Sequence, residues 1–235
     1  MQQKYIVPVA VGALALGLSA GAFAQSSSET VTPSPAVFFE TEWKKPSTQR
    51  LVVTGDLTNP NLEQHQYGPD MKITDPKVEH GIVLDTKDNP VHIWTGLCLS
   101  SCLLTFKHKT DNVDLTAPGA RIKWRAWQYG FNILRPVVKL AGGMWLVGDF
   151  ADGYTTDYHD SEFYIRDVKW RELDIEKIAT KDGKTWVTNP DLSKVEEIGF
   201  TDLMAGTGHG TGGSSHVSRV IVYGKAVKRE PQKSN

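Results

Sequence analysis

Arg121-Ile122-Lys123-Trp124-Arg125-Ala126-Trp127, followed closely by Asn132-Ile133-Leu134-Arg135-Pro136-Val137-Val138-Lys139-Leu140, is the stretch that decides the fold. The first run alternates strictly. Ile122, Trp124 and Ala126 fall on one side of an extended chain, and Arg121, Lys123, Arg125 and Trp127 on the other, which is the period-2 pattern of a half-buried strand. The second run sets Leu134, Val138 and Leu140 against Arg135 and Lys139, and Pro136, lacking an N–H, places that strand at a sheet edge or a bulge. Ala141-Gly142-Gly143 then turns the chain into Met144-Trp145-Leu146-Val147 as a hairpin. Working outward, further strands are expected at 51–54, 91–96, 103–108, 162–165, 168–175, 184–187 and 217–223, with Lys181-Asp182-Gly183-Lys184 as a turn. Helical signal is confined to single turns at Pro60–Gln64 and Asp191–Val195. Many short strands punctuated by Gly, Pro and Asp predict an all-β fold, an antiparallel β-sandwich or jelly roll.

The ends frame this domain. Lys4, an apolar run from Tyr5 to Leu18 and the small residues of Ala22-Phe23-Ala24 make residues 1–24 a cleavable signal peptide, too short in its apolar part for a span of ~20 residues. The expected location is therefore secreted or periplasmic. Residues 25–35 read as a disordered Ser/Thr/Pro linker, 36–228 as a single β-sandwich domain and 229–235 as a flexible charged tail. Cleavage leaves 25 basic and 27 acidic residues, a net charge of −2, which gives no electrostatic reason to expect a nucleic-acid partner. No second apolar run of spanning length follows, so no membrane span is expected after cleavage.

The two cysteines, Cys98 and Cys102, stand four residues apart. In an oxidising compartment a disulfide is the default. Four extended residues cover ~13 Å, whereas a bridge needs Cα atoms ~4.4–6.8 Å apart. Bridging requires a tight turn through Leu99-Ser100-Ser101, and two buried thiols remain the alternative.

The segments 121–149, 194–213 and 217–227 together resemble an uncharacterised family of bacterial secreted proteins. The closing run Val217 to Val227 is also similar to the last strand of galactose-binding-like jelly rolls, which ends near a Tyr-Gly after returning beside the first strand. That resemblance implies a galactose-binding-like fold, carbohydrate binding through end loops or a concave face, and no catalytic motif.

Three constellations could carry chemistry. If the first two strands pair as a hairpin through Gln128–Asn132, Lys123, Arg125, Trp127, Arg135 and Lys139 share one face. There Arg can grip a carboxylate by two hydrogen bonds and an indole can cover a sugar ring. Such a face suits a carbohydrate, including an anionic one, although long side chains on a solvated sheet look the same in sequence. The loop Asp149 to Glu162 packs hard oxygens densely, and Asp149, Asp152 and Asp157 are candidate ligands for a structural calcium, without matching the twelve-residue calcium loop. In the same loop His159 with Tyr154 or Tyr158 could act as acid and base in a lyase, or Asp157 with Glu162 in a glycosidase. The Gly-rich run Ala205 to His216 fails the context test for nucleotide binding, but His209 could reach a ligand from it.

The resulting expectation is a secreted, non-catalytic, carbohydrate-binding module. Two alternatives remain: a polysaccharide lyase or glycoside hydrolase, and an envelope structural or interaction protein.

Overall fold

The structure is a computed structural model that describes residues 34–43, 57–67, 91–92, 101–130, 133–177, 186–202 and 214–229. The signal peptide, most of the linker, the expected strand at 51–54, the turn at 181–184, Cys98 and His209 lie outside the described residues. Cys102 opens a strand there, and its bridge to Cys98 therefore also falls outside them.

Among the described residues the chain forms fourteen strands, all antiparallel, and a single 3-10 turn at Ile165–Asp167. The smaller sheet contains β1 (Val37–Glu42), β13 (Ser214–Tyr223), β6 (Arg121–Tyr129) and β9 (His159–Tyr164) in that order, with β3 (Val91–His92) pairing the start of β13. The larger sheet runs β11 (Trp186–Val187), β10 (Trp170–Glu172), β8 (Trp145–Gly148), β7 (Leu134–Leu140), β12 (Val195–Asp202), β4 (Cys102–His108) and β2 (Leu62–Tyr67). At its side β5 (Asp111–Asp114) pairs β12, and β14 (Lys225–Lys228) pairs β5. The last long strand does return beside the first, Tyr223 opposite Val37, and the chain crosses to the other sheet at Gly224.

The two sheets pack face to face as a β-sandwich. Ile122, Trp124 and Ala126 point into the core as the alternation requires. Aromatic rings from the two sheets interlock: Trp124 meets Phe200 with centroids 6.1 Å apart, and Phe39 meets Phe106 at 5.9 Å. Edge-to-face rings of this kind add to the burial energy. The Trp124 N–H cannot stay unpaired in such a core, and it donates to Asp152 at 2.6 Å.

Several expectations need correction. Strands β6 and β7 do not form a hairpin: β6 belongs to the smaller sheet and β7 to the larger, so the chain crosses the sandwich between them. Strand β7 is interior, flanked by β8 and β12. Pro136 is accommodated because the β8 ladder begins only at Val137, so no N–H is needed on that side. The register shift of this region lies instead in β12, between Val195 and Glu197. The hairpin after β7 is present, with Gly143 at φ 88° closing it onto Leu140 O. Pro60–Gln64 is a turn entering β2, and Asp191–Val195 is an Asx turn (Ser193 N to Asp191 Oδ1, 3.0 Å) leading into β12. At the ends of the described residues, Ser34 accepts from Arg121 at 2.7 Å, and Arg229 donates to Asn112 Oδ1 and to the carbonyls of His108 and Asp111.

Candidate functional site

The five residues expected on one face are divided between two. Lys123, Arg125 and Trp127 occupy the outer face of the smaller sheet; Arg135 and Lys139 occupy the outer face of the larger one, on the far side of the core.

On the smaller sheet the cations form a ladder with β9. Arg121 Nε lies 2.6 Å from Glu162, Lys123 3.6 Å from the same carboxylate, and Arg125 and Arg219 at 3.8 and 3.5 Å from Asp160. Trp127 donates to Thr155 O at 3.0 Å and packs between Tyr158 and His216. This is an ion-paired surface.

The acidic loop does not converge either. Asp149 accepts from the Lys169 N–H, and Asp157 from the Tyr158 N–H. Asp152 is buried under Trp124, Ser161 (2.8 Å) and His159 (Nε2, 2.8 Å). Each carboxylate satisfies a different local donor, and no group of three or more His, Cys, Asp or Glu side chains suited to a metal occurs among the described residues. Asp149, Asp152 and Asp157 therefore do not form one carboxylate cluster. His159 has one ring nitrogen on Asp152 and the other buried, so neither is presented to a substrate. Glu162, the other half of the glycosidase pair, is held by Arg121 and Lys123.

Lys139 belongs to a polar cluster that the sequence did not suggest. The bulge in β12 sets Glu196 beside Glu197, and Lys139 reaches both, at 3.7 and 3.0 Å. Glu197 is 1% exposed and also accepts from Thr105 (2.7 Å) and Tyr67 (3.0 and 3.1 Å), with His65 Nδ1 3.2 Å away. Burial pushes its carboxyl up, but the bonds from Thr105 and Lys139 and the nearby Lys139 and His65 outweigh that and hold it below the usual glutamate range. Burial, reinforced by Glu197, keeps the Tyr67 hydroxyl protonated well above the ordinary tyrosine range. Tyr67 on β2 and Trp145 on β8 stand four strands apart, ~19 Å in a flat sheet. Their rings nevertheless meet at 4.9 Å, so the sheet curls and the pair closes over Glu197. Leu173 packs there as well, against Leu103, Val137 and Val147, and Ile175 joins the same cluster. This face is filled by its own side chains.

Open space lies at one end of the sandwich, where the chain crosses between sheets. The β5–β6 connection, the segment 165–169 and the approach to β12 surround a groove of about 790 Å³. Its floor is the end of the core: Leu115, Ile165, Val168, Trp170 and Leu192. Its rim carries Thr116, Arg166, Lys169, Trp186, Thr188 and Asn189. Leu115 N–H donates to Leu192 O and Ile165 N–H to Ala120 O, tying the walls together. Trp186 is 49% exposed, its ring 5.9 Å from the Arg171 guanidinium, and Asn189 adopts a left-handed backbone at φ 49°. The groove's volume and its mixture of an apolar floor with a few polar groups suit a small ligand. None of these rim residues was singled out in the sequence. Trp186 beside Asn189-Pro190 is the only local hint, and exposure is decided by the tertiary fold.

No family model matches the chain, and no curated protein matches it. Among solved structures, it is similar to the family 11 carbohydrate-binding module of the cellulosomal cellulase Lic26A-Cel5E of Clostridium thermocellum, at 13% identity over 71% of this chain and 89% of that one, TM-score 0.41. The family 11 module from Clostridium thermocellum in complex with a β-1,3-1,4-mixed-linked tetrasaccharide is 12% identical over 82% and 98%, TM-score 0.42. Arcelin-5, a lectin-like defense protein from Phaseolus vulgaris, is 8% identical over 84% and 100%, TM-score 0.36. The groove's own residues, rather than these distant likenesses, carry the functional reading.

Proposed function

We propose that this chain is a non-catalytic carbohydrate-binding module working outside the cytoplasm, and that its site is the end groove. The observation that carries the reading is the half-exposed Trp186 on the rim of a groove with an apolar floor and polar edges. An indole offers a flat apolar face to a sugar ring while hydroxyls and amides around it read the sugar's own hydroxyls. Among the described residues that line the groove, the polar side chains are those of Thr116, Arg166, Lys169, Thr188 and Asn189 beside two tryptophans, groups that suit hydrogen bonding to sugar hydroxyls. Lys123, Arg125, Trp127, Arg135 and His209 become secondary candidates for ligand contact, His159 and Lys139 being committed to Asp152 and to Glu196 and Glu197, and the groove displaces the sheet face as the primary one. The secreted or periplasmic location rests on the signal-peptide pattern of residues 1–24, and a Cys98–Cys102 bridge would suit that compartment.

The test is a glycan array probed with the chain and with Trp186→Ala. Selective binding that disappears in the variant supports the reading; silence across neutral and acidic glycans sinks it. A second reading, an envelope-interaction protein, draws on the ion-pair ladder of the smaller sheet, and it would gain from that silence.

A further inference from the structure

We infer that the groove selects acidic polysaccharide, a chain bearing uronate carboxylates, with Arg166 and Lys169 as the groups that read the charge. This deepens the proposed carbohydrate site and rests on that reading. Among the described residues that line the groove, Arg166 and Lys169 are cationic and none is acidic. The neighbouring carboxylates keep their charge, but local hydrogen bonds fix where they point. Asp114 accepts from the Thr116 N–H and hydroxyl, Asp191 from the Ser193 N–H, and Asp149 from the Lys169 N–H. Asp167 does approach Arg166, Nε to Oδ1 at 3.6 Å, but both side chains are about two-thirds exposed (67% and 66%). A pair so open to water holds its partners weakly, so a ligand carboxylate can replace Asp167 on the guanidinium.

The groove floor also holds a buried tryptophan. Trp170, 2% exposed and part of the groove floor, has its indole Nε1 buried without a hydrogen-bond partner in the protein. Trp186, across from Arg171 in the β10–β11 pair, supplies an exposed aromatic face at the rim. The left-handed backbone of Asn189 holds its amide at the rim, in a conformation that asparagine tolerates better than most residues.

The experiment is calorimetric titration of the full chain with tetramers of galacturonate, mannuronate and guluronate. Each is paired with its carboxyl-reduced neutral counterpart, at low and at physiological salt. At least one uronate tetramer should bind about tenfold or more tighter than its neutral counterpart at low salt. The ratio should shrink with salt. Arg166→Gln/Lys169→Gln should abolish the preference and spare neutral binding, whereas Trp186→Ala should weaken both. Equal or tighter binding of the neutral sugars, or a preference that survives the double variant, overturns the inference and leaves the carbohydrate site standing. Binding of neither series overturns the inference, and the glycan array then decides the carbohydrate reading. Circular dichroism of each variant separates loss of a contact from loss of the fold.

Discussion

The outer face of the larger sheet and the groove at the sandwich end both gather aromatic and charged side chains, yet they deploy them in opposite ways. On the sheet, Glu197 is buried and takes hydrogen bonds from Thr105, Tyr67 and Lys139, while the Tyr67 and Trp145 rings close over it. At the groove, Trp186 and Arg166 stand open and the indole N–H of Trp170 lacks an acceptor. A polar cluster whose members satisfy one another is part of the structure. One with donors left over and an exposed ring is prepared for something else. The ladder on the smaller sheet is a third arrangement, exposed but already paired, and it contributes little to stability.

Changes on the buried face should have the largest effects. Gly199 lies where β12 approaches β4 so closely that an added Cβ would fall 1.9 Å from Leu104 O. Gly199→Ala should therefore prevent normal pairing of these central strands, read as loss of cooperative unfolding by circular dichroism. Lys139→Met leaves Glu197 buried without its lysine and should cost about 3–5 kcal/mol in urea unfolding. Adding Glu197→Gln to that variant should recover much of the loss, since a neutral amide no longer needs the cation.

The same cluster sets an acid limit. Because the folded state holds the Glu197 carboxyl below its ordinary value, its contribution is fully present above the unfolded value of about 4.3. It is lost as pH falls from there through the lower folded value. Stability against urea should decline across that window, and Glu197→Gln should flatten the decline. On the smaller sheet, Arg125→Ala should change stability by less than about 1 kcal/mol. Trp186→Ala should change it least, within about 0.5 kcal/mol, while removing ligand binding.

The parts of the fold that could be read in advance were those where burial and period agreed. Ile122-Lys123-Trp124-Arg125-Ala126 alternates without exception, and the Gly142-Gly143 turn leaves its hairpin little choice. Strand β12 was hidden because a bulge places Glu196 next to Glu197, breaking the period, and a glycine occupies its centre. Strand β2, Leu62-Glu63-Gln64-His65-Gln66-Tyr67, turns Gln64 toward the core side, where it accepts from Trp43 Nε1 at 2.7 Å; hydropathy alone gives no sign of this. The false hairpin between β6 and β7 has a different cause, since a connection as short as Gly130 to Ile133 serves a turn and a crossing between sheets equally well. The groove was least legible. It is assembled from three connections distant in sequence, and its marker, an exposed tryptophan, looks like a core residue until the fold is known.

The most direct test is to map backbone amide shifts of the protein while titrating the best-binding oligosaccharide from the glycan array. The account predicts that perturbations concentrate at residues 115–118, 165–170 and 186–192. Perturbations centred on Lys123–Trp127 or on the Lys139–Trp145 face, with the groove unmoved, would contradict it.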